Sequence, residues 1–260
     1  MAEPVEASPR LRGLLTLEVG LLLAASLGQA AVYSLLRIIE RLTREVPLGE
    51  QSSSLNQVAT GDRAWLDALF QGADVAFLAV PAALALYLVH TVARPAGGAV
   101  HATGLQLDRW RRDLGWGVGI FLAVGVPGLA FYLAARELGL NTTVQAAGLG
   151  DHWWAIPLLV TSAAANAVLE EVVMVGYAFT RLRQARWAPW LVLVASAVVR
   201  GAYHLYQGFG GFVGNLVMGL GFGLWFRRTG RLWPLVVAHF LLDVASFVGY
   251  ALLAGRVSWL

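Results

Sequence analysis

The sequence predicts an all-α fold: a polytopic membrane bundle of about seven transmembrane helices. Three observations carry that expectation. Apolar residues fill 58% of the 260 positions and charged residues only 13%, where an ordinary soluble domain has about 25% charged. A mean hydropathy of +0.63 leaves too little polar surface to cover a water-facing globule, which all but excludes a soluble enzyme. Seven apolar stretches then approach the roughly 20 residues that a helix needs to cross a bilayer at 1.5 Å per residue.

In chain order the stretches are Leu14–Leu36, Ala73–Val92, Leu114–Ala135, Trp153–Thr180, Ala188–Tyr206, Phe212–Phe226 and Leu232–Leu253. Residues 1–13 carry Pro, Ser and mixed charge and read as a disordered tail. No small-residue cleavage site follows the first stretch, which therefore reads as a retained helix and not a signal peptide. Residues 14–152 hold the first three spans, with a long polar loop at 41–71 that contains Gln51-Ser-Ser-Ser-Leu-Asn-Gln57. Residues 153–260 hold the rest. The sixth stretch is short and glycine-rich, which suits close packing against other helices. No internal repeat is visible.

All 19 basic residues are Arg, and they lie between the apolar stretches, not in one patch. The net charge of +3 and pI near 9.6 thus point to membrane orientation and away from nucleic acid. Arg94, Arg109, Arg111 and Arg112 follow the second stretch, Arg181, Arg183 and Arg186 the fourth, and Arg227, Arg228 and Arg231 the sixth. The alternate loops are nearly bare. This asymmetry places the N-terminus in the cytoplasm and the C-terminus outside, with Arg41 and Arg44 outside beside Glu40, Glu45 and Glu50. With no Cys in the chain, disulfides and thiolate metal ligands are excluded.

Six ionisable residues interrupt the apolar stretches: Glu170 and Glu171 in the fourth, Arg200 and His204 in the fifth, His239 and Asp243 in the seventh. Each would cost about 2.5–3.5 kcal/mol against lipid on insertion scales for Arg and Asp, so they are expected to converge on a shared polar cavity. Arg200 and His204 are four apart, as are His239 and Asp243, which puts each pair on one helix face. Adjacent Glu170 and Glu171 diverge by about 100°, and Asn166 shares the Glu170 face one turn earlier. With both histidines neutral, the cluster holds a buried net charge of −2, which calls for protons or a cation. Two imidazoles and a carboxylate also form a familiar catalytic zinc set with one position left for water. The bland alternative is a structural ion-pair cluster.

These residues form three ordered motifs: Glu170-Glu171-Val-Val-Met-Val175, Arg200-Gly-Ala-Tyr-His204 and His239-Phe-Leu-Leu-Asp243. They resemble the signature of the CPBP intramembrane metalloprotease family, which groups type II CAAX prenyl endopeptidases with bacteriocin-processing and immunity homologues. That signature runs Glu-Glu-x-x-x-Arg, then Phe-x-x-x-His, then His-x-x-x-Asn/Asp. The resemblance covers Trp153 to Asp243 and makes residues 153–260 a catalytic helical core. It implies a helical bundle in a bacterial cell membrane, with its site in a cavity within the bilayer. The activity implied is an endopeptidase cutting a membrane-embedded or membrane-associated peptide or protein. Glu170 and His204 would position and activate the hydrolytic water; His239 and Asp243 would complete the site as ligand, orienter or oxyanion stabiliser. A divalent metal, zinc (Zn2+) held by Glu170, His204 and His239, and a metal-free Glu/His mechanism both stay open.

Competing readings are a proton- or metal-coupled transporter and a non-proteolytic immunity or binding homologue. A carrier would show repeats or broken helices around its site; the chain shows no clear repeat and no Pro or Gly interruption beside Glu170 or His239. Gly201, Gly208, Gly210 and Gly211 near His204 serve either substrate access or helix packing. In a protease, Asp243 is expected to hold His239 by accepting its other N–H, while Arg200 and Asn166 support the site. Two positions depart from the signature: Val175 stands where Arg is expected, and Arg200 where Phe is expected. A guanidinium moved between helices would neutralise Glu171 from the second motif and leave Glu170 free. Arg200→Phe should then lose activity or fold, and Arg200→Phe combined with Val175→Arg should recover it. A double variant no better than the single one overturns the exchange.

Overall fold

The computed structural model describes residues 8–92, 95, 97–150 and 152–257. The expected tail at 1–7, Arg94 of the orientation argument and residues 258–260 lie outside the described residues. Helix α1 spans Pro9–Ala24, with Ser8 Oγ accepting from Leu11 N and proline at the start, where a missing N–H costs nothing. It therefore begins within the stretch read as a tail. The expected first span is broken: α1 stops at Ala24, and α2, Leu27–Leu42, leaves it at 52°. Ser26 Oγ bonds back to Leu22 O at 2.6 Å, a back-bond that helps bend helices.

The long helices follow: α3 (Ala64–Thr91), the short α4 (Gly98–Ala102), α5 (Trp110–Glu137), and α6 (Ala155–Glu170). The last continues through a π-helical segment, Glu171–Tyr177, into α7 (Ala178–Gln184). Then come α8 (Pro189–His204), α9 (Phe209–Thr229) and α10 (Trp233–Leu253). Five of these are long and apolar enough to cross a membrane, namely α3, α5, α6 through α7, α9 and α10, and the bent α1/α2 pair makes a sixth. The stretch expected as a fifth span forms α8, whose 16 residues reach about 24 Å; the turn at 205–207 completes its run to the capped end, where Thr142 N bonds Gln207 O at 2.9 Å.

The core runs along α6 and the π segment, where Val172, Val173, Met174, Val175 and Tyr177 are all buried. Glycines let α8 and α9 close together: a Cβ on Gly219 would lie 3.0 Å from Ala197 Cα, and one on Gly223 2.5 Å from Leu193 Cδ1. At one end of the bundle the loops knit into a cap. Strands β1 (Ser52–Ser54) and β2 (Thr143–Gln145) pair in parallel, and Phe209 N bonds Leu140 O at 2.9 Å. The starts of α3, α6 and α9 therefore meet at this capped end. Gly208, at φ 120°, has no room for a Cβ, which would fall 2.4 Å from Leu140 O.

Two arginines counted as loop residues do structural work instead. Arg181 is fully buried in α7; it binds Glu18 Oε1 at 2.8 Å, Val92 O at 2.8 Å and Leu88 O, tying α1 and α3 to α7. Arg231 joins Asp113 to Asp108, at 2.6 Å for the latter. Its hydrogen bond holds the Asp108 carboxyl below its ordinary value.

Candidate active site

The helices bring all six ionisable residues together. Glu170 closes α6 and Glu171 opens the π segment, a distortion that often marks functional positions. The wider turn begins between the two carboxylates, which separate onto different partners. Glu171 is fully buried, and its Oε1 accepts from Arg200 Nη2 at 2.6 Å and from His239 Nδ1 at 2.8 Å. An ionised carboxylate only accepts, so Nδ1 carries a proton, and Nε2 faces Glu170 and Asp243. Arg200, also fully buried, lies against the Phe222 ring at 5.4 Å.

Glu170 occupies the centre. Its Oε1 lies 4.0 Å from His204 Nε2, and its Oε2 lies 3.9 Å from His239 Nε2. Two imidazoles from two different helices thus flank one carboxylate. Oε2 also accepts from Tyr203 Oη at 2.6 Å, with Arg200 Nη1 4.0 Å away. Among the described residues, neither ring nitrogen of His204 has a hydrogen-bond partner. Asp243 Oδ1 stands 3.7 Å from His239 Nε2.

Two expectations change, and one residue joins the site. Glu171, not Asp243, holds the His239 N–H, because the buried acceptor lies on the Nδ1 side of the ring. The glycines near His204 serve packing: a Cβ on Gly201 would meet Phe212 O at 2.8 Å, one on Gly210 Ala135 Cβ at 2.7 Å, and one on Gly211 His204 O at 2.9 Å. Tyr203, inside the second motif, is the added residue, through its hydroxyl on Glu170. Its signal was position, three residues after Arg200 and adjacent to His204, with a hydroxyl that needs a partner when buried.

Glu170, His204 and His239 are zinc donors by type. A tetrahedral ion with bonds of 2.0–2.1 Å sets its donors about 3.4 Å apart. Here the carboxylate oxygens stand 3.9–4.0 Å from the ring nitrogens, and no group of three such side chains among the described residues is arranged to hold a metal.

Residues 152–245 match the family model described as "Type II CAAX prenyl endopeptidase Rce1-like". The matched segment contains every residue of the cluster, and over it the chain carries a domain of this CPBP family. No curated relative and no solved structure matches the chain.

The Tyr203 contact makes a direct prediction. A hydrogen bond to a charged group contributes about 1.5–3 kcal/mol, so Tyr203→Phe should lower kcat for peptide cleavage by roughly 10- to 100-fold with little change in KM. An unchanged kcat would remove Tyr203 from the site.

Proposed function

We propose, from the Rce1-like domain at residues 152–245, that the protein is an intramembrane endopeptidase. It would hydrolyse a peptide bond of a membrane protein or membrane-associated peptide, within or at the edge of the bilayer. One observation carries the reading: Glu170 lies between His204 Nε2 and His239 Nε2, about 4 Å from each, in an enclosed part of a membrane bundle. Gaps of that length suit a bridging water.

In this reading a water donates one hydrogen bond to Glu170. Glu170 takes its proton as the oxygen attacks the scissile carbonyl, then returns the proton to the leaving amine. His204, whose ring nitrogens have no hydrogen-bond partner among the described residues, orients that water through Nε2, 4.0 Å from Glu170 Oε1. Tyr203 fixes the carboxylate rotamer through Oε2. Glu171 and Arg200 act through His239, holding its ring in one tautomer. Asp243 lies beside His239 Nε2; in its protonated form it would donate toward the developing oxyanion.

The zinc-assisted version is a second reading, favoured by the unpartnered nitrogens of His204. Glu170, His204 and His239 would hold the ion, which would supply a water of lowered pKa. The observed donor spacing does not form that set, so no step above depends on a metal. The arginine asymmetry, with the N-terminus cytoplasmic and the C-terminus outside, remains part of the proposal.

The test is cleavage of a labelled membrane-peptide library by the purified protein in detergent. Glu170→Gln should abolish cleavage while leaving the thermal unfolding profile intact, and a chelator should leave the wild type active. Full turnover by Glu170→Gln would overturn the mechanism. Chelator inactivation reversed by zinc alone would install the metal-assisted version.

A further inference from the structure

A polar cavity of about 230 Å³ lies between the capping loop, α3 and α6, lined by Asn56, Gln57, Gln71, Asp74, Ser162 and Asn166. Polar side chains within a bilayer bundle persist where they pair or meet water, and a polar space of this size holds several water molecules. The larger groove between α5 and α9, about 490 Å³, is lined by apolar residues such as Val124, Phe131, Val217 and Phe222 and offers water nothing to bind.

The lining residues form a directed lane. On α6, the lining residues Ser162 and Asn166 share one helix face with Glu170, at four-residue spacing. Counted from Ala155 at the capped end, the three lie about 10, 16 and 22 Å along the helix. On α3, Gln71 and Asp74 line the same cavity as Ser162 and Asn166, and Asp67 one turn before Gln71 accepts from Thr60 N at 3.3 Å in the capping loop. Gln71 Nε2 bonds Gln57 O at 2.6 Å, which anchors the loop over the outer end. At the inner end Asn166 lies one turn from Glu170, whose Oε2 stands 3.9 Å from His239 Nε2.

We infer that this cavity is a water inlet, carrying the hydrolytic co-substrate from the capped end of the bundle along the Ser162–Asn166 face to the Glu170 carboxylate. The role of the delivered water rests on the hydrolase reading above; the existence of the inlet does not. A bilayer-embedded hydrolase must bring one water per turnover through an apolar barrier. The polar face of α6 supplies donors and acceptors at each step of that path.

The chain contains no Cys, so single introduced thiols report without background. A thiol reacts as the thiolate, which forms in water and not in hydrocarbon. In proteoliposomes, Ser162→Cys and Asn166→Cys should be modified by the membrane-impermeant reagent sulfonatoethyl methanethiosulfonate. Phe77→Cys is the control: it lies about 20 Å along α3 from Ala64, and Phe77 is 73% exposed on the lipid-facing surface; it should stay unmodified. In Ser162→Cys, modification should also lower peptide cleavage roughly tenfold, with recovery when dithiothreitol removes the adduct. If Ser162→Cys and Asn166→Cys are no more reactive than Phe77→Cys, there is no inlet. If they react but the Ser162 adduct leaves cleavage unchanged, the cavity does not feed the site. An unmodified protein that cleaves nothing would sink the hydrolase reading alone, and the labelling pattern would still decide the inlet.

Discussion

The candidate site depends on one buried carboxylate with two partners. Glu171 Oε1 receives Arg200 from α8 and His239 from α10, so a single oxygen fastens three helices at one depth. A buried charge is tolerated only when paired and hydrogen-bonded; here the pairing also orients a ring. With His239 held through Nδ1, its Nε2 can point only toward Glu170 and Asp243. Glu171 is therefore a positioning residue: it fixes the geometry around Glu170 without occupying the centre itself.

That geometry overcomes a difference in depth. Counted from the end opposite the cap, His204 lies 15 residues into α8 and His239 six residues into α10, about 22 and 9 Å along their helices. Straight parallel spans would keep the imidazoles apart. The structure shortens α8 to 16 residues, turns the chain at 205–207, and packs α8 tightly on α9 through glycines. The π segment at Glu171–Tyr177 adds a local change of rotation that sends the two adjacent glutamates to different partners. The Arg181–Glu18 pair secures the far end of the same helix against α1.

Much of this was legible in the sequence because bilayer physics is strict. Apolar length and composition predict a helical membrane bundle, and ionisable residues at four-residue spacing in otherwise apolar helices predict a shared polar interior. The match at residues 152–245 covers nearly the same stretch as the motif resemblance. What stayed hidden depends on three-dimensional pairing. Hydropathy does not show that the stretch Ala188–Tyr206 is a 16-residue helix finished by a tight turn at 205–207. Nor does it show the break at Ala25–Ser26. Charge counting treats Arg181 as a loop cation, although carbonyls from α3 and the Glu18 carboxylate enclose it. Spacing along one helix favours Asp243 as the partner of His239, and only the crossing of α6 and α10 reveals Glu171. Tyr203 is apolar enough to vanish into its surroundings until its hydroxyl is seen on Glu170.

The most direct measurement is a double-mutant cycle on unfolding free energy in mild detergent, using Glu171→Gln, Arg200→Met and their combination. Breaking a buried ion pair from either side costs about 3–5 kcal/mol, whereas removing both partners leaves no uncompensated charge. The account predicts that the double variant loses little more than the less destabilised single one. Losses that simply add would mean that the two residues do not hold each other, and the arrangement around Glu170 would lose its foundation.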